Sequence, residues 1–351
     1  MTSPAKKVVV ALSGGVDSSV VAALLLQDGL DCTGVFLVTS DHGRHAQKEA
    51  SDVAERLGIE LHVLDVRREF EHILDYFCDE YGRGRTPNPC VLCNRLIKFG
   101  RLWQFARETG AAFLATGHYA RIARHNGKPG LYESADLAKD QSYALSMIDR
   151  EVLDHVLFPL GQHRKSEARD IARRLGLGTD EKEESQEICF VPDDAYAAFI
   201  EQRRPALAGE GPIVDSAGNL LGRHKGIHRY TIGQRRGLGI AMGEPYYVTR
   251  LDAGTNTVVL GPKPEVMHRR LTATGVNWLI DKPRSSFSAT AKVRYNSPGK
   301  PAIVTPAEDS ARVEFDDPIA AITPGQLAVF YVSENDKRRV AGAGWIDKVG
   351  N

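Results

Sequence analysis

The sequence has no long apolar run and little cysteine. None of its hydrophobic stretches approaches the roughly 18 residues of a membrane-spanning helix, which argues against a protein built on such helices. The opening residues, MTSPAKKVVVALSGG, run almost at once into a strand-like pattern, so we expect neither a signal peptide nor a transit peptide. Five cysteines are an odd number and too few for a disulfide scaffold, which favours a reducing cytoplasm as the compartment.

An excess of charge of either sign is also lacking. The 45 lysines and arginines balance 45 aspartates and glutamates, which argues against a protein that coats polyanions over its whole surface. A local basic face is still compatible with this balance. With 351 residues, of which 42% are hydrophobic, the chain is long enough for two or three domains with a sizeable core.

The first half of the sequence alternates strand-like and helix-like patterns. Residues 8–12, 31–39 and 60–66 are short apolar runs typical of buried strands, and residues with helical spacing follow each of them. The helix after residues 60–66 is marked by Phe70, Ile73, Leu74 and Phe77, and a further helix is indicated by Leu96, Phe99, Trp103 and Ala106. This alternation predicts an α/β fold with a doubly wound parallel sheet, whose ligands bind at the carboxyl ends of the strands.

The second half, from about Pro205, has short strands and glycine-rich turns. Apolar runs recur between turn residues, and DAGTNT at residues 252–257 is typical of a hairpin turn. Such spacing predicts one or two small β-barrels. We therefore predict three domains: an α/β domain over residues 1–204, a central β-rich domain over 205–275 and a C-terminal β-barrel domain over 276–351.

The motif SGGVDSS, residues 13–19, lies between the first predicted strand and its helix. Two glycines let the backbone bend closely around an anion, and amides and hydroxyls at a helix N-terminus bind phosphate. Asp17 fits an anion site if Mg²⁺ bridges it to the phosphates. The Walker lysine of GxxxxGK is lacking. An ordinary turn capped by Ser13 or Asp17 is the alternative, but the position after the first strand favours a nucleotide site.

A second motif, TPNPCVLCN at residues 86–94, combines two prolines with a CxxC pair. Such a pair alone is compatible with structural zinc or with a redox pair, although no further ligands follow at the usual zinc spacing. Cys93 stands just before a helical pattern, and we expect the helix N-terminus to lower the pKa of its thiol. Cys32 and Cys78 lie in strand and helix patterns, where we predict buried structural thiols.

These motifs and several others together resemble one family. SGGVDSS resembles the PP-loop of ATP pyrophosphatases. The further stretches GRTPNPCVLCNRLIKFG, LATGHYAR, KDQSYAL, PLGQHRKSEARDIA, SQEICFV, HRYTIGQRRGLG and VRY are similar to those of bacterial tRNA-specific 2-thiouridylases, the MnmA/TrmU family. The resemblance implies an ATP-dependent replacement of the C2 oxygen of the wobble uridine of tRNA by sulfur. The oxygen is first adenylated, which releases pyrophosphate, and it then leaves as part of AMP when a sulfur nucleophile attacks C2.

The resemblance also implies functions for individual residues and domains. It implies ATP and magnesium in the first domain and tRNA binding in the central one, with a sulfur donor, a cysteine desulfurase or a relay protein, as a further partner. The implied ATP contacts are Ala11, Leu12, Ser13, Gly14, Gly15, Val16, Asp17, Ser18, Leu37 and Gly117. The implied contacts to tRNA and its target base are Asn88, Pro89, Cys90, His118, Lys139, Asp140, Gln141, Arg294, Tyr295 and Gln326.

Three cysteines are implied in sulfur transfer. Cys93 matches the family's catalytic cysteine and Cys189 the cysteine that carries persulfide sulfur. Cys90 departs from the family, many of whose members have an aspartate there that is thought to assist proton transfer. Cys90, Cys93 and Cys189 are therefore also candidate ligands of a 4Fe-4S cluster whose unique iron carries sulfide. A third cysteine has no obvious benefit for a pure persulfide relay, and this favours the cluster.

Local basic segments indicate where RNA binds. RHKGIHRYTIGQRR, residues 223–236, combines cations with tyrosine and glycine, which suits phosphate contact and base stacking, and KFGR, HRK and RR could extend this track. The acidic run DEKEES before Cys189 suits a mobile segment. Two alternatives are a PP-loop ligase or amidotransferase for a small molecule, which needs neither these cysteines nor a basic domain, and a non-catalytic RNA-binding protein with a structural metal, which leaves SGGVDSS unexplained.

Overall fold

The structure, a computed structural model, describes residues 6–41, 43–179, 188–191, 195–240, 243–334 and 336–350. The chain divides into two compact units. The first unit comprises residues 1–72, 90–184 and 333–341, and the second unit comprises residues 73–89, 185–332 and 342–351. The three domains predicted from the sequence stay a prediction.

Helices lie mainly in the first half of the chain. The α-helices are α1 (Val16–Gln27), α2 (Arg44–Leu57), α3 (Arg67–Gly82), α4 (Pro89–Cys93), α5 (Leu102–Glu108), α6 (Ser142–Leu145), α7 (Lys165–Arg174) and α8 (Tyr196–Arg203). A π-helix, Asn94–Arg101, joins α4 to α5. Short 3-10 turns occupy Arg150–Asp154, Pro159–Gln162, Pro205–Leu207, Ile227–Arg229 and Lys263–Val266. No helix within the described ranges is both long and apolar enough to cross a membrane.

Strands occur along the whole chain. In the first half they are β1 (Lys7–Ala11), β2 (Asp31–Val38), β3 (Leu61–Asp65), β4 (Phe113–Ala115), β5 (Arg121–His125), β6 (Lys128–Tyr132) and β7 (Val156–Leu157). In the second half they are β8 (Gly211–Asp215), β9 (Leu220–His224), β10 (Tyr246–Asp252), β11 (Thr257–Pro262), β12 (Met267–Trp278), β13 (Phe287–Lys292), β14 (Lys300–Pro306), β15 (Ser310–Ala320), β16 (Leu327–Glu334) and β17 (Lys337–Gly350).

A parallel sheet forms the centre of the first unit. Its strand order is β3-β2-β1-β4-β7, and β1 pairs in parallel with both β2 and β4. Val8, Val9 and Val10 of β1 are almost fully buried, because a central strand of a parallel sheet has helices on both of its faces. The order reverses at β1, and ligands of such sheets bind where it reverses, at the carboxyl ends of β1 and β4. The predicted α/β fold is confirmed.

The helical segment after β3 differs from its predicted pattern. Leu96, expected on the buried face, is 46% exposed, whereas Ile97 and Leu102 are fully buried. The cause is the π-helix, whose i→i+5 hydrogen bonds widen each turn and shift the buried face relative to an α-helix. At Gly100 an added Cβ would lie 3.0 Å from the carbonyl oxygen of Arg95, five residues earlier.

The second unit contains a four-stranded sheet and an aromatic cluster. The sheet has the order β10-β11-β8-β9, and residues 252–257 form the predicted hairpin turn between β10 and β11. Ile213, Val248, Val258 and Leu260 fill its core. In the aromatic cluster, Phe77 of α3 packs edge-on against Phe190 and against Phe199 of α8.

Strands β12 to β17 form a six-stranded antiparallel barrel. It closes because β12 pairs with both β15 and β17. Residues alternate between inside and outside along β15, where Ala311, Val313 and Phe315 are buried and the residues between them exposed. The predicted β-barrel class is therefore confirmed. In the first unit, β6 pairs with β17 at Tyr132 and Arg339, and β5 and β6 form a hairpin that the sequence interpretation missed.

Candidate active site

The turn between β1 and α1 is shaped for close approach to an anion. Gly14 has φ +78°, and a Cβ there would lie 2.8 Å from Glu49 Cβ and 2.9 Å from Ala50 N, so the turn accepts only glycine. Gly15 is the N-cap of α1 and provides no side-chain cap. The predicted alternative, capping by Ser13 or Asp17, is therefore wrong. The first backbone amides of an α-helix have no partner within the helix, so those of α1 are available to an anion, as in phosphate sites.

Serine hydroxyls stiffen this turn. Ser18 Oγ lies 3.1 Å from Ser13 Oγ and accepts a hydrogen bond from Ser13 N at 3.2 Å. Ser18 Oγ and Ser19 Oγ are also 3.1 and 2.8 Å from the carbonyl oxygen of Gly15. These bonds fix the backbone of residues 13–19 without a ligand, which preorganises the turn for binding.

Asp17 is held by a lysine and a tyrosine. Lys165 Nζ, at the start of α7, lies 2.7 Å from both carboxylate oxygens of Asp17, and Tyr119 Oη donates to Asp17 Oδ1 at 2.8 Å. The ammonium also lies 5.7 Å from the centroid of the Tyr119 ring. The side chain of Lys165 is 13% exposed and that of Asp17 31%, so the pair is partly shielded from water. Lys165 belongs to the HRK stretch that the sequence interpretation placed in an RNA track.

The structure brings most of the predicted ATP contacts together. Gly117, after β4, approaches α1 so closely that a Cβ would lie 2.9 Å from Asp17 Cβ and 3.1 Å from Ser18 N. Leu37 is partly exposed near the carboxyl end of β2, the strand next to β1. Ala11 and Leu12 lead into the turn, and Leu12 N donates to Val35 O at 2.9 Å. The predicted set thus surrounds the carboxyl ends of neighbouring strands.

Two residues of the KDQS stretch that were predicted to contact tRNA make hydrogen bonds within the protein. Asp140 is 6% exposed and accepts hydrogen bonds from Ser134 N at 2.9 Å and from Ser142 Oγ at 2.7 Å. Gln141 Oε1 accepts a hydrogen bond from Tyr119 N at 2.9 Å, and the backbone N–H of Gln141 donates to Tyr119 O. Asp140 and Gln141 thus order the segment that carries Tyr119. Lys139, the residue before them, is partly exposed.

Cys90 and Cys93 lie one turn apart in α4. Cys90 is exposed and Cys93 is partly exposed, yet enough protein surrounds both thiols for desolvation to raise the pKa of each. The positive charge of Lys98 acts in the opposite direction on both. The expected lowering of the Cys93 pKa is therefore wrong, because Cys93 ends α4 inside a continuing helical run and desolvation outweighs the helix dipole.

His118 connects Lys98 to the sheet. It is 8% exposed, its Nε2 lies 3.5 Å from Lys98 Nζ, and its Nδ1 lies 2.6 Å from Thr116 Oγ1. Because a lysine ammonium can only donate, Nε2 is the accepting nitrogen and Nδ1 carries the proton. Burial, and secondarily Lys98, hold the pKa of His118 well below its usual value. A neutral His118 thus orients Lys98, which the sequence interpretation had assigned to the RNA track.

The buried neutral His118 predicts a pH dependence of stability. The unfolded chain takes up a proton as the pH falls through about 6.5, whereas folded His118 does not, so stability decreases below that pH. We expect His118→Gln, which keeps an acceptor for Lys98, to reduce this loss by up to about 1.4 kcal/mol per pH unit. Urea unfolding between about pH 7.5 and about pH 5.5 measures it.

His45→Gln is the matched control for this variant, because the side chain of His45 is 88% exposed. The two variants should differ in the pH dependence of the free energy of unfolding. Equal slopes in wild type and His118→Gln would contradict the neutral buried state of His118.

Cys189 belongs to the second unit and lies between anchored neighbours. Ile188 and Phe190 are partly buried and Val191 is 6% exposed, all three in the aromatic cluster, while Cys189 itself is exposed. The acidic run of residues 180–185 that was predicted to be mobile lies outside the described residues. Cys32 and Cys78 are buried, as predicted, and burial raises the pKa of Cys32 to about 11.

The structure does not assemble the ligands that an iron-sulfur cluster needs. Among the residues that it describes, which include all five cysteines, no group of three or more Cys, His, Asp or Glu side chains could hold a metal ion. Cys90 and Cys93 belong to the first unit and Cys189 to the second. A 4Fe-4S cluster needs at least three such ligands at one place, and the described residues show no such group.

The basic segment of residues 223–236 has an exposed cationic face and a buried aromatic one. Arg223, Lys225, Arg229, Arg235 and Arg236 are exposed, which suits phosphate contact. The predicted stacking of its aromatic rings on bases is wrong for this segment. Tyr230 is buried in the core of the four-stranded sheet. His224 and His228 are buried too, with hydrogen bonds to Asn256 O and to Glu201.

Three predicted tRNA contacts lie near one turn of the barrel. Arg294 donates hydrogen bonds to the carbonyl oxygen of Ala321 and, at 3.3 Å, to Thr323 Oγ1, and Tyr295 beside it is 39% exposed. Gln326 Nε2 donates to the carbonyl oxygens of Thr86 and Pro87, next to the predicted contacts Asn88 and Pro89. Lys98, Tyr119 and Lys165 are the site residues that the sequence interpretation did not identify as such.

Comparisons with known proteins identify the family of this chain. Three family models match: "tRNA methyl transferase HUP domain" over residues 6–193, "tRNA methyl transferase PRC-barrel domain" over 197–262 and "Aminomethyltransferase beta-barrel domain" over 268–346. Among solved structures, a 4-thiouridine synthetase in complex with RNA and ATP aligns at 20% identity over 57% of this chain and 50% of its own. The TM-score of 0.38 is too low for a conclusion.

Curated relatives match over nearly the whole chain. The tRNA-specific 2-thiouridylase MnmA of Syntrophotalea carbinolica is 46% identical over 97% of this chain and 98% of its own. That of Geobacter metallireducens is also 46% identical, over 99% of this chain and 98% of its own. Identity at this level and coverage establish membership. The chain belongs to the family of tRNA-specific 2-thiouridylases.

Proposed function

We propose that this protein catalyses the ATP-dependent 2-thiolation of the wobble uridine of tRNA. The observation that carries the proposal is the glycine turn of residues 13–19, which begins α1 without a side-chain cap, beside the carboxylate of Asp17. A turn of this kind binds phosphates, and the family uses ATP to activate a uracil oxygen. The relatives do not favour the alternative of a ligase or amidotransferase for a small molecule.

In the activation step, the C2 oxygen of the uridine attacks the α-phosphate of ATP and pyrophosphate leaves. The amides and hydroxyls of residues 13–19 hold the phosphates. Mg²⁺ fits at Asp17, since this ion binds to phosphates with one or two carboxylates, and it would neutralise the charge of the leaving pyrophosphate. Lys165 supplies the positive charge that a Walker lysine supplies elsewhere, and its ion pair with Asp17 keeps it at the turn.

In the sulfur-transfer step, we propose that Cys189 carries persulfide sulfur received from a donor, a cysteine desulfurase or a relay protein. The exposed position of Cys189 supports access by such a donor. Cys93 attacks the inner sulfur of the persulfide and breaks its S–S bond. The outer sulfur leaves as sulfide and attacks C2 of the uridine, AMP departs, and Cys93 and Cys189 end as a disulfide, which an external thiol reduces before the next turnover. Lys98 favours the thiolate of Cys93.

We derive no step through an iron-sulfur cluster, because no group of three or more Cys, His, Asp or Glu side chains among the described residues could hold a metal ion. Cys90 then has the role of a neighbour of Cys93 that contacts the target base. Substitution of Cys90 distinguishes this role from that of a cluster ligand.

We further propose that tRNA binds to the exposed cations of residues 223–236 and to Tyr295, with the target base near Cys90 and His118. The exposed arginines and the 39% exposed ring of Tyr295 support this proposal. We also propose three domains: a catalytic domain over residues 1–204, a tRNA-binding domain over 205–275 and a C-terminal barrel over 276–351. Since ATP and tRNA are its substrates, the cytoplasm is the proposed location.

The proposed function is tested by pyrophosphate release with and without tRNA. We expect release only with a tRNA that has uridine at the wobble position. With a persulfide donor added, that uridine should gain the mass difference between sulfur and oxygen. The matched control is the same tRNA with cytidine at the wobble position. Pyrophosphate release that needs ammonia or another small nucleophile and not tRNA would instead support the ligase alternative.

A further inference from the structure

The loop before the CxxC helix makes its hydrogen bonds with a segment that is distant in the sequence. This entry loop, residues 85–89, connects the end of α3 to α4, and Pro89 is the first residue of the helix that carries Cys90 and Cys93. Its prolines, Pro87 and Pro89, have no amide hydrogen to donate. A loop of this composition needs partners elsewhere for its carbonyl groups.

Those partners lie in the barrel turn, residues 324–326, between β15 and β16. Thr86 N donates to Pro324 O at 2.9 Å. Gln326 Nε2 donates to Thr86 O at 3.0 Å and to Pro87 O at 3.1 Å. An amide nitrogen has two hydrogens, so both donors of Gln326 are committed to the entry loop, and only its Oε1 remains for a ligand.

Gly325 lets the two segments approach each other. Its φ is +91°, and an added Cβ would lie 2.8 Å from Thr86 O and 3.0 Å from Thr86 N. Any other residue would both strain the barrel turn and push the entry loop away. The contact between the barrel turn and the entry loop therefore requires glycine at position 325.

An arginine fixes the other end of the entry loop. Arg85 Nε lies 2.7 Å from Glu80 Oε2, Nη1 lies 3.1 Å from Asp347 Oδ1, and Nη2 donates to Ile346 O at 3.1 Å. Ile346 N in turn donates to Gln326 O at 2.8 Å. The side chain of Glu80 is 9% exposed, so this network is shielded from competing water.

We propose that Gln326 is a positioning residue for sulfur transfer, which acts by holding the entry loop and, through the continuous backbone, the helix of Cys90 and Cys93. This inference rests on the proposed function. It differs from the role as a tRNA contact that the family resemblance implies. A positioning residue affects the rate at which Cys93 reacts, whereas a tRNA contact affects affinity for tRNA.

Gln326→Leu removes both donors and keeps a side chain of similar size. We expect kcat for thiolation to fall by about 10- to 100-fold, because small displacements of a reacting group have effects of this size. The Kd of tRNA and tRNA-dependent pyrophosphate release should stay within about twofold. Gln104→Leu is the matched control, since Gln104 Nε2 donates to Glu108 on an exposed helix surface.

Hydrogen exchange gives a readout that does not depend on activity. Because Pro87 and Pro89 have no amide hydrogen, exchange in the entry loop reports on Arg85, Thr86 and Asn88. Exchange at Thr86 should be faster in Gln326→Leu than in wild type. Gly325→Ala, which displaces the loop from the other side, should reproduce both effects, and thermal melting verifies that each variant is folded.

A raised Kd of tRNA with unchanged kcat would overturn the inference, and so would unchanged exchange at Thr86. If wild-type protein did not thiolate tRNA at all, the proposed function would fail. Exchange at Thr86 would then still show whether Gln326 holds the entry loop.

Discussion

Asp17→Asn is expected to abolish the adenylation of tRNA. The carboxylate lies at the N-terminus of α1, beside the turn that binds phosphate, and it is the group proposed to hold Mg²⁺ with the pyrophosphate. An asparagine keeps the size but not the charge, so tRNA-dependent pyrophosphate release should fall by at least about 100-fold. The affinity for tRNA should be nearly unchanged, because it rests on basic contacts elsewhere.

Two measurements separate this effect from a loss of structure. Asp17→Asn leaves the ammonium of Lys165, which is 13% exposed, without its counter-ion, so some loss of thermal stability is expected. Asp28→Asn is the matched control, since Asp28 is the exposed C-cap at the other end of the same helix. Unchanged tRNA-dependent pyrophosphate release in a folded Asp17→Asn protein would refute the assignment of the phosphate site.

Cys93→Ser and Cys189→Ser are each expected to eliminate thiolation and to leave adenylation intact. Both thiols take part in the transfer of sulfur, and a hydroxyl at either position cannot carry or attack a persulfide. Thiolation is measured by the mass of the wobble nucleoside, and adenylation by pyrophosphate release. Cys32→Ala is the control, because Cys32 is buried in β2 with a raised pKa and is not proposed to react.

Cys90→Ser separates the two schemes of sulfur transfer. With persulfide transfer, as proposed, this variant should keep much of the activity, because no transferred atom is lost. With a cluster, iron and activity should disappear together, because two ligands remain. Wild type and Cys90→Ser are reconstituted with iron and sulfide without oxygen, and their visible absorption and thiolation are compared. Full thiolation by iron-free wild type, supplied only with a persulfide donor and a thiol that reduces the Cys93–Cys189 disulfide, would end the cluster hypothesis.

The order of strands and helices could be predicted because it depends on local patterns. The apolar run before SGGVDSS is a central strand of the parallel sheet, and the motif begins a helix, as the glycines and their position indicated. The hairpin of β5 and β6 was missed although its signal was present. Asn126 and Gly127 both have positive φ, as an Asn-Gly hairpin turn requires.

What could not be predicted depends on contacts between residues that are distant in sequence. Lys165 is 148 residues from Asp17, and nothing in HRKSEAR indicates which carboxylate its ammonium will meet. The burial of Tyr230 was missed for a similar reason. A tyrosine ring can stack on a base or pack in a hydrophobic core, and only the packing of the four-stranded sheet decides which of these occurs. Lys98 depends on His118, which comes from another element.

The π-helix after Cys93 limits how the chain can change in length during evolution. Its eight residues, Asn94–Arg101, set the rotation of α4 relative to α5. Deletion of one residue there would disturb the i→i+5 hydrogen bonds and so change the rotation of α4 relative to α5 around the helix axis. Substitutions on its exposed side, such as at Leu96, are tolerable, whereas a gap is not. Sequences that keep this chemistry should therefore keep the spacing from the CxxC pair to Phe99 more strictly than the identity of the residues between them.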